Sequence, residues 1–101
     1  METALWTWDG EYFGYRDGDQ LWAHHGQLVG KFRGDVVYGA DGAYLGEIRD
    51  NDRLITKTAS KNKHAAGFGI RQRGARGLRG RRGSRGALSG YEGFPSPDSF
   101  R

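Results

Sequence analysis

Leu5-Trp6-Thr7-Trp8-Asp9-Gly10-Glu11-Tyr12-Phe13-Gly14 decides the fold, because its pattern returns twice. Sixteen residues on, the chain reads Leu21-Trp22-Ala23-His24-His25-Gly26-Gln27-Leu28-Val29-Gly30. After another sixteen it reads Val37-Tyr38-Gly39-Ala40-Asp41-Gly42-Ala43-Tyr44-Leu45-Gly46. Self-similarity at a fixed period marks one supersecondary unit used several times. Asp9-Gly10 and Asp41-Gly42 are the pair favoured by a two-residue type I′ hairpin turn, whose central residues both take positive φ. His25-Gly26 is a weaker version at the same place. Each unit is therefore expected to be a two-stranded hairpin.

Such a turn pairs Trp6 with Phe13 and Leu5 with Gly14, and it sets the aromatic anchors Trp6, Trp22 and Tyr38 at one register. One side then carries Trp6, Phe13 and Tyr15, followed by Trp22 with Val29 and Tyr38 with Leu45. The other carries Leu5 with Tyr12, Leu21 with Leu28, and Val37 with Tyr44. Both sides are partly apolar, which disfavours a flat sheet with one wet face and favours a closed or radial arrangement. Gly14, Gly30 and Gly46 recur inside strands, where glycine normally weakens structure, so a close backbone approach or a bend is expected there.

The links at 17–19, 33–35 and 50–52 are polar and turn-like. A fourth unit is expected to begin at Arg53, with Leu54 buried beside Trp6, Trp22 and Tyr38. Its return strand falls on residues 65–70, with Gly67 in the role of Gly14. The fold class is thus all-β, built from repeated hairpins with a 16-residue period in a closed or radial arrangement. The aromatic-x-x-Asp-Gly hairpins, each followed by an aliphatic-Gly step, resemble the four-fold β-flower proteins of bacteria. That resemblance implies four petals around a pseudo-four-fold axis and no established activity.

Composition separates a body from a tail. Residues 1–56 hold 5 basic and 10 acidic side chains, and residues 57–101 hold 11 basic and 2 acidic ones. A hairpin-repeat domain is expected over 1–70 and a basic Gly/Arg-rich tail over 71–101. In the tail, Gly74, Gly77, Gly80, Gly83 and Gly86 recur every third residue, the period of a polyproline-II-like strand, giving a glycine ridge that would permit close approach. Ordering so much glycine needs backbone pairing or packing, and a groove shared between subunits is the expected host. Tyr91, Phe94, Pro95, Pro97 and Phe100 form an aromatic–proline end suited to clipping the terminus in place.

The chemistry is sparse. There is no cysteine, no Ser-His-acid arrangement suggests itself, and adjacent His24 and His25 on a strand end are poorly placed for a shared metal. Rim acids Asp17, Asp19, Asp35, Asp50 and Asp52 have the oxygens that Ca²⁺ prefers, but such residues are ordinary in tight turns. No enzymatic activity, cofactor or metal is expected, nor any membrane span. With no signal-like run after Met1, a cytoplasmic protein is the default expectation. The functional expectation is a structural or protein-interaction module that forms a homo-oligomer. The alternative is RNA or other polyanion binding through Arg71, Arg73, Arg76, Arg79, Arg81, Arg82 and Arg85.

Overall fold

A computed structural model describes residues 2–69 and 71–100. Three hairpins follow the repeat: β1 (Glu2–Thr7) with β2 (Tyr12–Asp17), β3 (Gln20–Ala23) with β4 (Leu28–Arg33), and β5 (Val36–Gly39) with β6 (Tyr44–Arg49). They are joined by β7 (Arg53–Lys57) and, far along the chain, β8 (Tyr91–Gly93). Neighbours in sequence pair antiparallel throughout, and β1 also pairs parallel with β7 through Trp6↔Arg53 and Thr7↔Leu54. That contact closes seven strands into a barrel, which removes the open edges of the meander. The all-β, petal-like architecture read from the repeat is therefore present.

The hairpin turns differ from the type I′ expectation. Gly10 N–H donates to Thr7 O at 2.9 Å and Thr7 N–H to Glu11 O at 2.8 Å, and Gly10 alone takes a positive φ, at 99°. This is a type I turn followed by a left-handed glycine, a three-residue loop that leaves a bulge in the returning strand. The same bonds recur at Ala23–Gly26–Gln27 and at Gly39–Gly42–Ala43. Asp9, His25 and Asp41 occupy ordinary turn positions, and only Gly10, Gly26 and Gly42 need the special backbone.

The three-residue loop moves the pairs nearest each turn by one residue, and a second register shift, between Leu5 and Trp6 and at the equivalent places in the other hairpins, restores the pairs beyond it. Trp6 faces Tyr12, Trp22 faces Leu28 and Tyr38 faces Tyr44, while Leu5↔Gly14, Leu21↔Gly30 and Val37↔Gly46 hold as expected. Phe13 and Val29 therefore join Leu5, Leu21 and Val37 in the barrel core, with Leu45 packed against it. Tyr15, Trp22 and Leu28 form a second cluster, covered by Phe68. The strand glycines serve close approach: a Cβ at Gly14 would lie 2.0 Å from Trp22 O, at Gly30 2.6 Å from Tyr38 O, and at Gly46 2.5 Å from Ile55 O. Strands from successive hairpins touch backbone to backbone at these points.

The fourth unit departs further. The links after β2 and β4 contain two residues between paired positions, but Arg49 pairs with Arg53 across three. Asp50 and Asn51 adopt φ of 53° and 71° to make that longer turn. The extra residue advances β7 by one position, so fully buried Leu54 sits with Leu5, Leu21 and Val37 rather than with Trp6, Trp22 and Tyr38. The return strand is not at 65–70 (Ile70 lies outside the described residues) but is shared by two segments. Ile55 pairs with Glu47 on one edge and Gly93 on the other, so β8 covers the outer half of the edge whose inner half β1 covers. Buried Phe94 and partly buried Phe100 stand edge-on to Phe13, with ring centroids 5.3 and 6.0 Å away. The Pro97–Phe100 turn thus sits on the barrel end, where His25 Nε2 lies 2.8 Å from Pro97 O.

Candidate functional site

Residues 61–69 and 71–90 leave the sheet and form a strap over the three hairpin turns, visiting them in reverse order. Ala65 N–H donates to Gly42 O and Phe68 N–H to Ala40 O, at 2.8 and 3.0 Å. Arg73 N–H donates to Gly26 O and Arg76 N–H to His24 O, at 2.6 and 2.7 Å. Arg82 N–H donates to Gly10 O and Arg85 N–H to Trp8 O, both at 2.9 Å. One rule covers all three turns: strap amides three residues apart reach the carbonyl of the turn glycine and the carbonyl two residues before it. The approach is so close that a Cβ on Gly10, Gly26 or Gly42 would lie 2.0, 2.0 or 2.1 Å from a strap carbonyl oxygen. The turn glycines make this contact possible. The expected tail ridge does not, because a Cβ on Gly74, Gly77, Gly80, Gly83 or Gly86 meets nothing within 4 Å.

The arginine side chains turn back onto the outer aromatic face. Arg82 lies over the Trp6 ring at 3.8 Å from its centroid, Arg73 over Trp22 at 4.0 Å and Arg76 over Tyr15 at 4.6 Å. Each stacked guanidinium also meets a body carboxylate: Arg82 with Asp52 at 2.5 Å, Arg73 with Asp17 at 3.0 Å, and Arg76 bidentate with Glu2 at 2.6 and 3.0 Å. Arg85 approaches Asp50 at 3.8 Å. Their acid partners hold Arg73 and Arg76 above the ordinary guanidinium value, with hydrogen bonding to Asp17 and Glu2 the largest cause. Planar stacking combined with bidentate pairing is what arginine does and lysine does not. Trp6 Nε1–H and Trp8 Nε1–H donate to Gly80 O and Gly86 O at 2.9 and 2.8 Å, satisfying indole donors that the strap covers.

The remaining tail cations are used differently. Arg81 donates to Asp9 O at 3.3 Å. Among the described residues, Arg71 and Arg79 have no carboxylate within ion-pair distance. Trp6 and Trp22 are buried under the strap, while Tyr38 is half-buried. Four of the five rim acids meet arginine: Asp17, Asp50 and Asp52 in the pairs above, and Asp35 with Arg16 at 3.7 Å. Among the described residues no group of three or more metal-ligating side chains gathers. No helix among them is long and apolar enough to cross a membrane.

At the opposite rim a cleft of about 780 Å³ opens between Thr3, Arg16, Asp35, Ile48 and Asn51. Its two arginines are engaged, Arg16 over Phe32 at 4.2 Å and beside Asp35, and Arg49 over Tyr91 at 5.2 Å. The cleft thus has mixed and largely compensated charge. Sequence reasoning located the tail cations and the rim acids but missed the aromatic rings between them. Trp6, Tyr15 and Trp22 look like core residues in a sequence, and only the bulged register places them outside the barrel.

No curated protein and no solved structure matches this chain. A family model described as "4-fold beta flower protein" matches residues 1–89, spanning the three hairpins, β7 and the strap. The chain belongs to the 4-fold beta flower protein family.

Proposed function

We propose that the protein is a non-enzymatic structural or protein-interaction module that self-associates. The observation behind this reading is the fate of the tail cations: Arg73, Arg76 and Arg82 are each held between an aromatic ring and a carboxylate of the same chain. A cation stacked and paired in this way has lost most of its attraction for an external phosphate, which would have to displace the acid. Solvent-facing pairs of this kind are screened, so they orient the strap, while the repeated backbone bonds hold it. The test is light scattering of the full chain across concentrations at low and high salt. A mass above one chain that persists in high salt supports the reading, and a single-chain mass throughout overturns it.

Polyanion binding remains a second reading because Arg71 and Arg79 lack acid partners among the described residues. Fluorescence anisotropy with a labelled single-stranded RNA discriminates the two. Tight, salt-sensitive binding abolished by Arg71→Ala with Arg79→Ala would favour the second.

A further inference from the structure

The strap, β8 and the Pro97–Phe100 turn act together as an arm that completes the body's core. The body closes on itself through β1 and β7, yet Phe13 receives two of its aromatic neighbours, Phe94 and Phe100, from the arm. One covalent connection, the turn at Thr58–Ser60, joins arm to body, and every other contact is non-covalent. A repeated set of backbone bonds runs through those contacts. The three turns take the same two amide bonds from different residue pairs: Ala65 and Phe68, Arg73 and Arg76, Arg82 and Arg85. A site that reads backbone accepts the same segment equally well from another copy of the chain.

The strap glycines bear on the same point. None of the five at 74–86 needs to be glycine in the docked arm, since a Cβ there meets open space. Their effect falls on the undocked arm, whose conformational freedom they enlarge, and so they favour release. A released basic arm is then attracted by any acidic body. We infer that the arm exchanges between copies: the arm of one chain docks on the Gly10, Gly26 and Gly42 turns of a second, and reciprocal exchange yields a two-fold dimer with the contacts seen here. Exchange of an identical element preserves every native contact, which makes it a low-cost route to a dimer. The inference rests on the reading that the module self-associates, and it supplies the partner surface and the route.

Because the chain has no cysteine, introduced thiols report without background. Gln72 and Gln27 face each other across the arm–body contact as an antiparallel bridge, with Gln72 Nε2 2.9 Å from Gln27 Oε1. Full chains carrying Gln27→Cys and Gln72→Cys are mixed, annealed and oxidised, and the heterodimer is quantified by mass. Exchange predicts roughly tenfold more heterodimer than a control mixture of Asp35→Cys with Gln72→Cys, because docking raises the effective thiol concentration. The double variant in one dilute chain should close its own disulfide, which shows that both positions fold as described. Heterodimer at the control level overturns exchange. If light scattering still reports more than one chain, self-association stands and its route is a different surface; if it reports a single chain, both fail.

Discussion

Replacing Gly26 with Ala adds a Cβ at a residue with φ +102°, 2.0 Å from Arg73 O, so it strains the turn and expels the strap at once. The left-handed backbone costs a side chain about 1–2 kcal/mol. Expulsion then removes the bonds from Arg73 N–H to Gly26 O and from Arg76 N–H to His24 O, each worth about 1 kcal/mol net. It also removes the stack of Arg73 on Trp22. Freed strap residues regain entropy and offset part of the loss, which leaves about 3 kcal/mol. Gly18→Ala is the matched control, since Gly18 is left-handed at φ +61° with nothing within 4 Å of a Cβ. It should cost only about 1 kcal/mol. Urea denaturation followed by tryptophan fluorescence measures both, and the native emission of Trp22 should change in Gly26→Ala alone. Equal losses in the two variants would refute strap docking at the turn.

Phe94→Ala should destabilise the chain by about 3 kcal/mol in the same assay, because it empties a buried position against Phe13 and Gly46. Burial, with Glu47 beside it, pushes the Tyr44 phenol up to about 12. The stability linked to that raised value is present below about pH 10 and is lost as pH rises through about 12. A spectrophotometric alkaline titration should therefore lose its late tyrosinate step in Tyr44→Phe. Burial first, then Asp9 and Asp98, raises Glu11 above the usual carboxylate range, so its ionised form opposes folding at neutral pH. Glu11→Gln should raise the thermal midpoint near pH 7, and the gain should vanish as pH falls below about 4, where Glu11 is itself protonated.

The 16-residue repeat made the hairpins and their closure legible, because two partly apolar faces exclude a sheet with one wet side. The turn type was open to misreading, since Asp-Gly favours type I′ in isolation. The second unit held the clue: His25 replaces Asp while Gly26 stays, as expected if only the glycine needs positive φ. The displaced Leu54 was also visible in outline. Gln20 and Val36 open β3 and β5 16 residues apart, whereas β7 opens at Arg53, one residue later than that period.

A return strand separated from β7 by the 33 residues 58–90 could not be read from local pattern, because Tyr91–Gly93 is short and its partner is chosen by tertiary contact. The strap was legible as charge and as glycine period, but the period suggested the wrong contact. Close approach is made by the glycines of the turns, and the tail glycines face open space.

The arginine strap is docked through its backbone on the carbonyls of alternate residues in the hairpin turns. Residue-resolved amide hydrogen exchange over 71–86 tests it most directly. Arg73, Arg76, Arg82 and Arg85, whose N–H groups are bonded to turn carbonyls, should exchange more slowly than Gly74, Gly77 and Gly83 between them. Uniform exchange at unstructured-chain rates across the whole segment would contradict it.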